Sequence, residues 1–496
     1  MRVAIALQAH TAQQNQTWGV ITGLSRQHDI SRAFIYDLLA TFKRGMDTLF
    51  FPTVAPTALS RAASEQAILA YRFEGRCSID AISTLMKREE KPYSSVGYVS
   101  QYLSAVGNGL PNTLGNEQAG VRFVVFASDE VFAKSTPLLI TVEPVSSVIL
   151  RIELADQRTA AVWSAHWQAL KANGFEARLL TSDAGSGLRA AHQGVLTDTP
   201  WQLDTFHGIA HRLGDYARRL EKSAYRAIVA VDKREATLKT AKSDGVIDKR
   251  LQQCVDAQRV AEQAIEQYDH FAYLYRVLIH QLNLFDTNGD LRQADDVAGQ
   301  MKAALVLMDS LNHAGISKVT ASIQGALPDL LVYFKEAIAV VERCHTFTDN
   351  LEALNALCLA WQWDKAVIKS KVTARKKRAI KQRQFYLEWA ALWVGEPAAY
   401  QILKDKVMTE LESIVQASSM VECINSLLRP YLDASKNQVT QAFLNTFMFY
   451  HNHRRYHAGK RKGKTPMEIL TGQPQQEDWI TLLLRESDKN RAALAA

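Results

Sequence analysis

The spacing of apolar positions changes period along this chain. Between residues 14 and 106 apolar side chains recur every three or four positions, the pattern of amphipathic helices. "QTWGVITGLSRQHD" and "RAFIYDLLATFKRG" predict two helices over residues 14–48, joined at "IS", with Ser31 as the N-cap of the second. Arg32 and Tyr36 would face outward early in that second helix, an order that suits a major-groove reader. A two-helix hairpin without a nucleic-acid role fits the same pattern. "FFPTVAP" (50–56) reads as a linker. "SEQAILAYRFEG", "SIDAISTLMKREE" and "SSVGYVSQYLSAVG" then predict a second three-helix unit, with 94–106 as its recognition helix. "GNGLPNTLGNEQAG" (107–120), rich in Gly and Asn, reads as a domain boundary.

From 121 the period shortens. "VRFVVFASDEVF" predicts a strand ending at Asp129, and "PLLITVEP" and "SSVILRIEL" predict two more. "RTAAVWSAHWQALKANG" (158–174) is an amphipathic helix closed by Gly174. "EARLLTSDAGSGL" is a strand running into a Gly-rich turn at Asp183, and "PWQLDTFHGIAHRL" is a short strand followed by a helix. The order β-β-β-α-β-β-α describes a mixed α/β layer. From about 209 to 400 the strand pattern stops and long helical patterns replace it, without a fixed repeat period. "ASSMVECINSLLRPYL" (417–432) is a further helix with Met420, Ile424, Leu427, Leu428 and Tyr431 on one apolar face. Glu422 is out of place among them. Ser419 and Glu422 have the spacing of a capping box.

Charge adds a partner class. The 496 residues carry a net charge of +7. "KSKVTARKKRAIKQR" (369–383) holds eight Lys/Arg and "HNHRRYHAGKRKGK" (451–464) six, neither with an acid, so the rest of the chain is net negative. Two concentrated runs point to a polyanion, because each Lys or Arg that neutralises a phosphate releases counterions; a solvated charged face is the plainer reading of either run alone. Candidate phosphate contacts are Lys376, Lys377 and Arg378 in the first run, and Arg454, Arg455, Lys460 and Arg461 in the second. No apolar run is long enough to span a membrane. The start has too short an apolar stretch for a secretory signal. The five cysteines form no CxxC pair, which argues against zinc and a disulfide framework and fits a reducing cytoplasmic setting.

Asp129 and Asp183 are both expected at strand ends of one sheet, where ligand and catalytic groups collect. A helix carrying Glu422 can pack across them. Three convergent carboxylates suit two Mg²⁺ ions, with Mn²⁺ as a substitute, because hard cations take oxygen ligands. Such a pair can activate an attacking hydroxyl and stabilise the leaving oxygen of a phosphodiester. Glu130 and Glu143 compete for the role of Asp129, but Glu130 points to the opposite sheet face.

"FASDEVF", "LLTSDAGSGLRAA" and "SSMVECINSLLRPYL", in that order, resemble the three acidic motifs of DDE transposases with an RNase H-like core. The tail "FYHNHRRYHAGKRKGKTPMEILTG" resembles that of bacterial insertion-sequence transposases. "LDTFH" places Asp204 and His207 in a pattern similar to the (C/D)xxH signature of the hAT and Mutator groups, whose core is interrupted by a helical insertion; a buried histidine capped by a nearby aspartate fits those two residues as well. The 239 residues between Asp183 and Glu422 exceed the distance in compact members. Glu388 and Glu410 lie inside that interval. Glu422 is preferred because Asn425 and Arg429 follow at helical spacing, Arg429 as a phosphate contact or a surface ion-pair partner.

The resemblance implies tandem helix-turn-helix DNA-binding units (1–115), an RNase H-like core with a mixed five-stranded sheet in two parts (116–208 and 401–450), an all-helical insertion (209–400) and a basic tail (451–496). It implies cleavage of double-stranded DNA at element ends and strand transfer into target DNA, by a homodimer or higher oligomer on DNA. A domesticated DNA-binding regulator, a nuclease of the same fold without strand joining and a helical scaffold are the alternatives.

Overall fold

The computed structural model describes residues 1–50, 58–116, 120–311 and 313–486, with backbone alone at 47–50 and 58–60. The expected linker at 50–56 therefore lies almost wholly outside the described residues. The chain divides into two compact units, Met1–Leu103 and Ser104–Ala496.

The first unit is helical. Helices α1 (Arg2–Gln14), α2 (Val20–His28) and α3 (Arg32–Phe50) close around Ile5, Ala9, Leu24, Ile35 and Leu39. The patterns foresaw α2 and α3 but not α1, whose buried side is mostly alanine and so carries little contrast. Ser31 caps α3, its Oγ accepting from Phe34 N at 3.1 Å. Helices α4 (Ala58–Phe73), α5 (Ile79–Arg88) and α6 (Val96–Asn108) follow, with Ile68, Leu69, Ile82, Met86 and Val99 fully buried. Ser78 caps α5 through Ala81 N.

The second unit is built on a mixed five-stranded sheet: β1 (Arg122–Ala133), β2 (Thr136–Glu143), β3 (Val148–Leu154), β4 (Phe175–Ser182) and β5 (Trp201–Leu203). The spatial order is β3-β2-β1-β4-β5, with β1–β2 and β2–β3 antiparallel and β1–β4 and β4–β5 parallel. Strand β1 does not end at Asp129. It outruns β4 and stays paired to β2 as far as Ala133↔Thr136, with Asp129 opposite Ile140. Within 107–120, read as a boundary, residues 112–114 run along β3: Leu114 N donates to Leu150 O and Ile152 N to Asn112 O.

Two helices cover the sheet. Helix α7 (Ala160–Ala172) lays Trp163, Trp167 and Leu170 on the face formed by Val124, Phe126 and Leu180. Gly174 stands just past its end at φ +83°, a conformation that favours glycine. Helix α8 (Ser186–Val195) intervenes between β4 and β5, where only a Gly-rich turn was expected. After β5 a π-helical turn, Phe206–His211, opens a run of helices: α9 (Arg212–Leu238), α10 (Asp244–Gln281), α11 (Ala294–Asp309), α12 (Ala314–Leu330), α13 (Tyr333–His345), α14 (Leu351–Lys369), α15 (Thr373–Val394) and α16 (Pro397–Glu412). Helix α17 (Ser419–Ala434) then returns to the sheet and packs on β1 and β2. Helix α18 (Gln441–His453) lies along β3, and α19 (Pro466–Thr471) carries a full capping box between Thr465 and Glu468. Among the described residues no helix is long and apolar enough to cross a membrane, and the five cysteines are free.

Departure and return of the long helical run are tied together. Thr205 Oγ1 donates to Gln416 O at 3.0 Å, and Ser418 N donates to Asp204 Oδ2 at 3.2 Å. The chain thus leaves and rejoins the sheet at adjoining points, so the intervening helices add length without separating β5 from α17.

Candidate active-site cleft

The last parallel pair between β1 and β4 is Ala127↔Thr181. Asp129 and Asp183 each lie two residues further on, so strand alternation puts both on the face of Val125 and Leu179. That face is closed by Val415 and by α17, not by α7. The apolar side of α17 is Val421, Ile424, Leu428, Tyr431 and Leu432, with Met420 and Leu427 only half-buried. Rotated this way, the helix lays Asn425 over the first acid: its Nδ2 donates to Asp129 Oδ2 at 3.0 Å.

Asp129, Glu130, Asp183, Glu422, Asn425 and Arg429 line one cleft of about 490 Å³. Burial pushes the Asp129 carboxyl up to about 7, and the charges of Glu422, Asp183 and Glu130 add to it against a hydrogen bond from the Glu130 backbone. Glu130, on the other sheet face, is engaged by Arg158. Glu143 is buried and spent on structure: it accepts from Val145 N, Ser146 N and Ser146 Oγ and holds the β2–β3 turn. Asp183 Oδ1 accepts from Gly185 N at 2.8 Å, which fixes the turn after β4.

Glu422 does not form the expected capping box. Ser418, not Ser419, is the N-cap residue, and its hydroxyl donates to Asp204 and accepts no hydrogen bond from its own helix. Asp204 is almost fully buried and also accepts from Phe206 N at 2.6 Å and His207 N at 3.3 Å. One carboxylate therefore holds both the π-helical turn and the start of α17. It brings His207 Nε2 to 3.4 Å from Glu422 Oε1. A second cleft of about 670 Å³ opens beside Asp183 and His207 and is lined also by Arg189, His211 and Arg212. Arg189 went unmarked because α8 was not foreseen, while His211 and Arg212 lie in the helix expected after β5 and carried no local signal of their own.

Among the described residues no three His, Cys, Asp or Glu side chains stand close enough to enclose a metal ion as they are. The donor set nevertheless fits a hard cation in kind: three carboxylates facing one cleft, and beside them the buried Asn425 Oδ1, which has no hydrogen-bond partner.

The candidate DNA contacts fall into two groups. Arg32 and Tyr36 are exposed on α3, Lys376, Lys377 and Arg378 are exposed on α15, and Arg429 is exposed at the cleft. The second group is held within the chain. Arg454 lies over the rings of Tyr450 and Tyr456. Arg455 meets Glu468, Lys460 meets Asp364 at 2.7 Å and Glu412 at 2.8 Å, and Arg461 donates to Pro144 O and Val145 O.

A mixed sheet with a carboxylate cleft at the parallel strand ends, continued by a long helical region, is compatible with a transposase fold. Residues 140–299 match the model of the transposase Mutator family. The match supports a transposase of an insertion element. It runs from the second half of β2 into α11 and takes in Asp183, Asp204 and His207 but not Asp129, so β3, β4, β5 and the first helices after them fall inside the family pattern. No curated protein matches the chain.

Proposed function

We propose that the chain is a DDE-type transposase with an RNase H-like core, which cuts DNA at the ends of its element and joins the freed 3′-OH to target DNA. One observation carries the reading: Asp129, Asp183 and Glu422, from three distant segments, line one cleft. The strand order, with the first acid on the central strand and the second just past its parallel neighbour, supports it.

In this reading the three acids and Asn425 hold two divalent cations, which when bound supply activation of the attacking oxygen and stabilisation of the leaving one. The chain's own residues set the geometry. Asn425 orients Asp129, Gly185 N fixes Asp183, and the Asp204 clamp places His207 against Glu422. Arg429, exposed at the rim of the cleft, contacts a phosphate of the scissile strand. Helices α2 and α3 act as a helix-turn-helix, with Arg32 and Tyr36 reading base edges.

The test uses DNA carrying the sequences that flank the reading frame, with Mg²⁺ present. Asp129→Asn, Asp183→Asn and Glu422→Gln are each expected to bring cleavage and joining to background while duplex binding stays intact. Near-full cleavage by any one of them removes that residue from the site.

A further inference from the structure

Helix α15 carries a stripe that the cleft does not use. Arg378, Lys381, Phe385, Trp389, Leu392 and Trp393 follow one another at helical spacing on its outer side. The opposite side, with Ala379 and Ala390 buried, packs against α14. Phe385 is 51 % exposed, Trp389 41 %, Leu392 73 % and Trp393 46 %. The rings form a ladder: Phe385 and Trp389 are stacked at 6.0 Å and 20°, and Trp389 and Trp393 meet edge-on at 6.4 Å. Exposing two tryptophans and a phenylalanine in a row is costly to leave unused.

We propose that this stripe binds unpaired DNA, with bases stacking on Phe385, Trp389 and Trp393 and the strand's phosphates on Arg378 and Lys381. Three features favour this occupant. The apolar half continues on the same line into a basic half, and the run 369–383 contains no acid. Glu388, the one acid in α15, accepts from Gln384 Nε2 at 2.9 Å. In a duplex the base faces are hidden in the stack, so a row of exposed ring faces finds a partner only where a strand is open. The stripe spans about 22 Å from Arg378 to Trp393 at the helical rise. The proposal rests on the DNA-cutting reading only for the source of the open strand, which a nick at an element end would supply.

The experiment uses the full chain and two labelled probes, an oligothymidylate of about 16 nucleotides and a mixed-sequence duplex of the same length. Trp389→Ala with Trp393→Ala is expected to weaken oligothymidylate binding about tenfold or more and to change duplex binding less than about twofold. Trp389→Phe with Trp393→Phe, which keeps the ring faces, is expected to retain most of the affinity. Wild-type tryptophan emission is expected to be quenched by the oligothymidylate, and that of the alanine pair much less. Undiminished oligothymidylate binding by the alanine pair overturns the proposal, as does an equal loss on both probes or no oligothymidylate binding by the wild type. A smaller oligomer in sedimentation with oligothymidylate affinity intact overturns it too, and assigns the stripe to a protein partner. The acid-to-amide variants are measured on a different substrate, so retained cleavage there removes the functional reading without touching these affinities.

Discussion

The two basic runs, 369–383 and 451–464, look alike in the sequence and differ in the folded chain. The first presents Arg375, Lys376, Lys377, Arg378 and Lys381 to solvent from the outer surface of α15. The second is largely engaged by the chain itself, although Lys462 and Lys464 are exposed. Its Arg455 bonds the capping-box glutamate of α19, its Lys460 reaches Asp364 and Glu412, and its Arg461 satisfies two carbonyls of the β2–β3 turn. Asp364 even joins the two runs, accepting from Arg383 at 2.6 Å as well as from Lys460; burial works against its ionisation, but these two cations hold it below the usual carboxylate range. A positive charge is free for a polyanion only if no carboxylate or carbonyl of the chain already holds it. By that criterion most of the first run is free for a polyanion and much of the second is a structural clasp.

The largest effect should come from the free run. Replacing Lys376, Lys377 and Arg378 with Ala should lower duplex affinity about a hundredfold at 0.15 M salt and cut the salt-dependence slope by about three, if each meets one phosphate. The loss should be equal for the element's own end and for random DNA, because phosphate contacts position without specifying. Arg32→Ala or Tyr36→Ala should instead narrow the difference between those two sequences. A fluorescence titration across salt concentrations measures both. A loss confined to the end sequence in the triple variant would reverse the assignment.

The clasp should respond the other way. Arg461→Ala leaves the carbonyls of Pro144 and Val145 without their donor and should cost about 1–3 kcal/mol in urea unfolding, with little change in duplex affinity. If affinity falls as steeply as in the first run while stability holds, the second run is a DNA surface after all.

How far the fold could be read beforehand follows the same division between local and distant partners. The change from strand to helical period near 206 was plain, because β-branched runs such as "PLLITV" give way to long amphipathic spacing. Asp183 was readable as a strand end because "SDAGSG" breaks any strand. Asp129 was misplaced within its strand: β1 continues because β2, not β4, supports its far end, and no local signal tells which neighbour ends first. Helix α8 escaped notice since "SGLRAAHQGV" has two glycines and buries only Leu188 and Ala191. At α17 the local spacing suggested a cap for Glu422, but Ser418 is claimed by Asp204 from 214 residues away. The candidate acids were visible as residues. What holds them, the Asp204 clamp and Asn425, depends on contacts across the whole helical run.

The smallest effect concerns His451, the first residue of the second run, which a count of charges treats as a potential cation. It is fully buried at the end of α18, within hydrogen-bond distance of Ser147 O through Nε2 at 2.9 Å. Its other ring nitrogen, Nδ1, is buried without a partner. The ring is therefore held neutral with the proton on Nε2, which donates to that carbonyl. A second proton would sit on Nδ1 with nothing to accept from it. Burial lowers this histidine to about 3, and the nearby charges of Arg454 and Arg461 add to the shift against the bond to Ser147. The unfolded chain binds that proton near pH 6.5 and the folded chain does not. Stability is then complete above pH 6.5 and falls as the pH drops towards 3, by about 1 kcal/mol at pH 5.5. Buried His166, lowered to about 4, acts in the same direction. His451→Gln keeps a donor for Ser147 O but cannot titrate. Its unfolding free energy, whatever its value at pH 8, should fall less between pH 7 and pH 5.5 than that of the wild type, by the share of one proton. Equal pH slopes for the two proteins would mean that His451 gains its proton inside the fold, and that the second run is more open than its contacts indicate.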